Sequence, residues 1–262
     1  MFMRSGFKAL QCLSATTTAL YLDFDGTLAD IVAHPDGVCI EPATLKNLAR
    51  LYRSLDGAFA IVTGRDIATL DRFLAPHVFP VSGVHGFEMR SSDGQIRTLT
   101  ADRQALAGIE DILASFVETH DGLLLERKPG SLALHYRQRP DLVEACRRII
   151  KTAIGETGSL QVLDGKMVIE VKAHGGNKGK AITAFLDAGP FQLRRPVFIG
   201  DDVTDEAAFE AVNARQGLSI KVGAGHTKAR YRLRDASHVR SWLGALADQL
   251  DCQQEHEQLE QS

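Results

Sequence analysis

Two strand-length apolar runs, far apart in the chain, end in the same way. Leu20-Tyr21-Leu22 runs into Asp23-Phe24-Asp25-Gly26, and Pro196-Val197-Phe198-Ile199 runs into Gly200-Asp201-Asp202. A short run that is apolar at every position suits a strand buried on both faces, as in a parallel sheet covered by helices. In open sheets of that kind, ligands collect in the crevice outside the carboxyl ends of the strands. Two such strands finishing in carboxylates therefore point to a layered α/β fold with an acidic crevice at one end.

The residues between and after these runs keep the same rhythm. Leu45, Leu48, Ala49 and Tyr52 share one face of a predicted helix over 42–52, residues 58–62 form a further apolar strand that breaks at Thr63-Gly64-Arg65, and Ile67, Leu70 and Leu74 mark a helix over 67–74. A loop holding Pro35, Asp36 and Gly37 separates the first strand from its helix. Later the spacing predicts a helix over 177–186 with Lys178 at its start, a strand over 196–199, a helix over 205–212 and a strand over 218–222. This is a doubly wound, Rossmann-like parallel sheet.

The middle reads differently. Leu106, Ile109, Leu113, Phe116 and Val117 line a helix over 105–117; strands over 123–126 and 131–136 meet at Lys128-Pro129-Gly130; a helix over 142–154 precedes a hairpin over 160–171 that turns on Asp164-Gly165. The result is an αββαββ block of α+β type. We divide the chain into a core (1–100), an inserted α+β cap (101–173) and the rest of the core (174–262). The loop His174-Gly175-Gly176-Asn177 has two glycines suited to a hinge. The polar tail from Cys252 onward is expected to fray.

Composition narrows the function classes. A net charge of -3 with scattered basic residues lacks the footprint of a nucleic-acid binder. No apolar run approaches the roughly 20 residues that span a bilayer, and the first residues lack a hydrophobic signal core, so the expectation is a soluble cytoplasmic protein, a monomer or weak dimer. Cys12, Cys39, Cys146 and Cys252 have no CxxC spacing, which fits reduced structural thiols.

Asp23, Asp25, Asp201 and Asp205 gathered at strand ends would repel one another unless cations are present. Hard oxygen donors with no accompanying His or Cys suit Mg2+, and Lys178 adds a further positive charge. These residues resemble the four motifs of the haloacid dehalogenase (HAD) superfamily of phosphohydrolases: Asp23-Phe24-Asp25-Gly26-Thr27, Thr63, Lys178 and Gly200-Asp201-Asp202-Val203-Thr204-Asp205, in that order. Within that group, Val62-Thr63-Gly64-Arg65, Gly83-Val84-His85-Gly86, His135-Tyr136-Arg137 and the segment through Glu206 resemble the trehalose-6-phosphate phosphatases.

The resemblance implies Asp23 as nucleophile forming an aspartyl-phosphate, with Asp25 as acid and then base, its pKa raised by neighbouring negative charge. Thr63 and Lys178 would bind the transferring phosphoryl group. Asp23, Asp201, Asp205 and the Asp25 carbonyl would hold Mg2+, and Gly26 and Thr27 would receive phosphate oxygens. Arg65, by its place after the Thr63-Gly64 turn, would contact substrate or cap or form a structural ion pair. In the cap, Glu126, Lys128 and Glu170 would bind the sugar; nothing in the sequence places His135 or Arg137 there, and alternation could equally bury His135 against the cap helices. The substrate implied is trehalose 6-phosphate. A sucrose-phosphate phosphatase or hexose phosphomutase is the alternative, and a non-catalytic phospho-aspartate receiver is disfavoured by the inserted block.

Overall fold

The computed structural model describes residues 4–5, 13–31, 37–98, 100–128, 130–155, 160–165, 167–173 and 176–260. The loop expected at Pro35-Asp36 and the hinge residues His174 and Gly175 lie outside them. The first elements are Arg4–Ser5 (β1), Thr18–Leu22 (β2), Pro42–Ser54 (α1), Phe59–Val62 (β3) and Ile67–Leu74 (α2), followed by the short strands Val81–Gly83 (β4), Glu88–Arg90 (β5) and Ile96–Thr98 (β6). Proline opens α1, where its missing N–H would be unpaired in any case. Asp66 caps α2 by accepting from the Thr69 amide at 2.8 Å. Then come Thr100–Glu118 (α3), Leu124–Lys128 (β7), Ser131–His135 (β8), Val143–Ile154 (α4), Leu160–Gly165 (β9) and Val168–Ala173 (β10). The chain ends with Lys178–Leu186 (α5), Arg195–Gly200 (β11), Glu206–Ala214 (α6), Leu218–Val222 (β12), Tyr231–Leu233 (β13) and Ala236–Glu260 (α7).

The chain divides into two units, Met1–Arg97 with Asn177–Ser262, and Thr98–Gly176. The sheet of the first unit runs β1-β13-β12-β11-β2-β3-β4-β5-β6. Pairings from β1 through β4 are parallel, and β5 joins β4 antiparallel. From β2 the chain steps outward to β3 and β4, and from β11 it steps the opposite way to β12 and β13. The crevice between β2 and β11 is thus the topological switch point, where ligands bind in open sheets. Leu22 stands opposite Ile199, so Asp23 and Gly200 leave the sheet side by side.

All five residues of β2, all four of β3 and all five of β12 are buried. Helix α7 adds Trp242, Leu243, Leu246 and Leu250, all fully buried; burial of side chains this size stabilises by about 1.5–3 kcal/mol each. Arg50 of α1 holds Asp248 and Asp251 of α7, both at 2.8 Å. The polar tail does not fray at Cys252. The helix continues to Glu260, and Gln253 and Gln254 donate to the carbonyls of Leu13 and Ser54. Their polarity is matched by backbone acceptors that come from elsewhere in the chain.

Helices α5 and α6 approach so closely that a Cβ on Gly179 would lie 2.3 Å from the Ala207 carbonyl oxygen. Backbone cannot retreat as a side chain can, so Gly179→Ala is expected to destabilise by about 1–3 kcal/mol, read as a lower urea midpoint at unchanged m-value.

The second unit is a four-stranded antiparallel sheet, ordered β7-β8-β10-β9. Leu106, Ile109, Leu113, Leu125, Leu134, Cys146, Ile150, Ile169 and Val171 form its core with α3 and α4. The second hairpin does not turn on Asp164-Gly165: Asp164 pairs with Ile169 and Gly165 with Val168, and the turn comes one step later, at Met167 with φ +62°. The Asp-Gly pair is the end of the ladder, and a glycine is tolerated there without being the bend. In the other hairpin Gly130 has φ +76°, while Pro129 lies outside the described residues. Cys39, Cys146 and Cys252 are free thiols, Cys146 buried, and Cys12 lies outside the described residues.

Candidate active site

Three strand ends and one helix start build the polar cluster. Asp23 follows β2, with its amide donating to the Ile199 carbonyl at 2.9 Å. Lys178 opens α5, and its Nζ lies 2.7 Å from Oδ1 of Asp23 and 2.7 Å from Oδ1 of Asp205. The other oxygen of Asp205 accepts from the Asp202 amide at 2.9 Å, which locks the turn after β11. Asp23, Asp201 and Asp205 offer carboxylate oxygens within 4.8 Å of one another. Gly26, at φ +75°, lies beneath the Asp201 carboxylate; a Cβ there would be 2.1 Å from Oδ2. Only glycine permits both this backbone and this approach.

The electrostatics are unbalanced. Burial, with the charge of Asp205 adding and Lys178 opposing, pushes the Asp23 carboxyl up to about 8. Burial and Asp205 raise Asp201 as well. Burial opposes the charge on Lys178, yet Asp23 and Asp205 hold its pKa above the ordinary lysine value. Asp23 and Asp205 share the Lys178 ammonium, and burial still raises Asp23 and Asp201, so the site favours taking up either a proton or a cation. An all-oxygen donor set with Asp23 and Asp205 buried and Asp201 half-buried fits a hard divalent ion.

Asp25 does not join the carboxylates. It is held in a two-point pair by Arg65, with Nε and the terminal nitrogen each 2.7 Å from a carboxylate oxygen. The guanidinium lies 5.5 Å from the centroid of the Phe24 ring and 5.0 Å from that of Phe73. The close contact of Asp25 is therefore a cation, whereas the carboxyls that burial raises are Asp23 and Asp201.

Thr63 is buried, and its hydroxyl accepts from the Arg65 amide at 3.1 Å. His85 donates from its amide to the Thr63 carbonyl, and its ring stands 2.6 Å from where a Cβ on Gly64 would be, which accounts for the glycine between Thr63 and Arg65. Thr27 is fully buried and directs its hydroxyl to Asp201 at 3.4 Å.

Lys221 was not singled out from the sequence. It is buried at the end of β12, opposite Gly200, and its Nζ donates to the Asp201 carbonyl. A lysine between Ile220 and Val222 in a strand buried at every position was the available signal.

In the second unit, Glu126 of β7 and Glu170 of β10 both stand opposite Ala133 of β8, hence on one sheet face. Glu126 pairs with His135 at 2.8 Å, and Glu170 accepts from Ser131 at 2.6 Å. His135 is thus on the polar face and not buried against the helices. The Lys128 side chain lies outside the described residues.

The switch-point sheet with its carboxylate cluster has the fold of the HAD-superfamily phosphatases. A phosphatase of that superfamily from Bacteroides thetaiotaomicron superposes with a TM-score of 0.56 at 15% identity, over 87% of this chain and 93% of its own. At the level of sequence, the trehalose-phosphatase profile matches residues 21–237, and the chain belongs to the trehalose-phosphatase family. The trehalose-6-phosphate phosphatase of Escherichia coli (strain K12) is 37% identical over 238 residues, covering 91% of this chain and 90% of its own. The crystal structure of a trehalose-6-phosphate phosphatase related protein matches with a TM-score of 0.67 at 30% identity, over 90% of this chain and 99% of that one. Among the described residues, no helix is long and apolar enough to cross a membrane.

Proposed function

We propose that this chain hydrolyses trehalose 6-phosphate to trehalose and phosphate, with Mg2+, through an aspartyl-phosphate on Asp23. The observation that carries the reading is the buried Asp23 at the switch point, held between Lys178 and the turn that bears Asp201 and Asp205. A carboxylate can attack phosphorus in line, which splits one difficult hydrolysis into two displacements. Lys178 offsets charge on the transferring phosphoryl group and orients Asp23, while the Thr63 hydroxyl lies at the next strand end to donate to it. Asp25 hands a proton to the leaving sugar oxygen and later accepts one from water. Because Arg65 occupies both oxygens of Asp25, turnover requires that pair to loosen as substrate arrives.

Asp23, Asp201, Asp205 and the Asp25 carbonyl are the groups that would hold Mg2+. When bound, the ion supplies charge neutralisation for the phosphoryl oxygens. Glu126, Lys128 and Glu170 of the 101–173 cap are read as the sugar contacts, and the protein as a cytoplasmic monomer or weak dimer acting on a small sugar phosphate.

The test is phosphate release from trehalose, sucrose, glucose and mannose 6-phosphates. Preference for trehalose 6-phosphate, abolished by EDTA and restored by Mg2+, is the expected result. Preference for another sugar would keep the core chemistry and remove the cap assignment, and turnover unaffected by EDTA would remove the metal.

A further inference from the structure

Register sets Glu126, Ala133 and Glu170 side by side on β7, β8 and β10. Two residues away along β8 in either direction, on the same face, stand Ser131 and His135. Each reaches diagonally to a different carboxylate: Ser131 Oγ donates to Glu170 Oε1 at 2.6 Å, and His135 Nε2 lies 2.8 Å from Glu126 Oε2. A carboxylate only accepts, so Nε2 carries the proton of that bond. Directly opposite His135 in the ladder are Leu124 and Val168, which offer it no competing polar partner. Ser131 is only 6% exposed, so its bond to Glu170 is sheltered from water. Between the two acids Ala133 provides a floor with almost no side chain.

Glutamate is a flexible side chain, and one left to rotate loses much of what a hydroxyl contact gains when it is ordered on binding. Both glutamates here are anchored in advance by residues of one strand. We propose that His135 and Ser131 are positioning residues that fix Glu126 and Glu170 on either side of Ala133, so that β8 sets the sugar specificity of this unit. This rests on the reading of Glu126 and Glu170 as sugar contacts. Neither His135 nor Ser131 takes part in the phosphoryl chemistry, and their effect is confined to the affinity for a hydroxyl-rich leaving group.

His135→Ala is expected to raise KM for trehalose 6-phosphate about tenfold, the size of losing an anchoring bond to a charged group, with kcat nearly unchanged. His135→Gln, whose amide nitrogen has the reach of Nε2, should restore most of it. Ser131→Ala should show the same split, rescued by Ser131→Thr. With p-nitrophenyl phosphate, which has no sugar hydroxyls, kcat/KM should be unchanged in all four variants. In a Glu126→Gln background, His135→Ala should add little, since its only route to the substrate is that carboxylate. Equal losses on both substrates without rescue by Gln would overturn the proposal, as would an unchanged KM. If the wild-type enzyme prefers a different sugar phosphate, the trehalose reading fails, and the same KM split measured on the preferred sugar then decides this one.

Discussion

Asp23→Asn is expected to lower turnover by about 10,000-fold or more, the scale seen when a group acting directly on the substrate is removed, without unfolding the protein. The amide cannot attack phosphorus, but it keeps the shape of the side chain beside Lys178, which stays paired with Asp205 at 2.7 Å. Stability should move in the other direction from activity. Asp23 has a folded-state pKa of about 8, raised by burial from 3.8. A carboxyl raised in this way favours folding while protonated, and that contribution is lost as pH climbs through the folded value. In EDTA the wild-type protein should therefore lose stability between about pH 4 and pH 8, and Asp23→Asn should flatten the decline. Urea midpoints measured across that range check the sign. A variant that melts far below the wild-type protein at neutral pH would mean that Asp23 is a structural residue, and its loss of turnover would carry no mechanistic weight.

Lys178→Met tests the opposite charge. The lysine is 2% exposed and is the ammonium shared by Asp23 and Asp205. Removing one partner of a buried pair leaves the other charges uncompensated, which costs about 3–5 kcal/mol. The cost should be largest above about pH 8, where Asp23 is ionised, and shrink as Asp23 takes up its proton below that value. Activity should fall with it, because the same ammonium is the group proposed to offset charge on the phosphoryl group. The added Met fills the space of the stem, so a deficit that persists unchanged at low pH would point to packing instead of charge. Mg2+ should recover part of the lost stability in this variant, since a cation binding only the folded state stabilises it by mass action, and a melting temperature that ignores Mg2+ would count against the metal site.

Much of the core was legible because its signals are local. The helix over 67–74 and the strand over 218–222 coincide with α2 and β12, since helical spacing and strand alternation (Leu218, Ile220, Val222) are written within a few residues. The acidic strand ends were legible for the same reason: two carboxylates after a buried run are costly wherever they fall, so their presence there requires a partner. The edge of the sheet was not legible. Strands β4, β5 and β6 are three residues each, too short to carry a period, and β6 is largely exposed. The long helix α7 was missed at its polar end because Gln253 and Gln254 find their acceptors at Leu13 and Ser54, some two hundred residues away in the chain.

The sequence by itself determined the doubly wound core, the order of its motifs and the identity of the charged groups, because each follows from spacing and side-chain chemistry within one short segment. The tertiary structure alone decided how those groups are paired: Arg65 on Asp25 across 40 residues, Lys178 between Asp23 and Asp205, Lys221 on the Asp201 carbonyl, His135 turned toward Glu126. Pairing of charges depends on distance and on exclusion of water, and both are set only when strands from separate parts of the chain come into register.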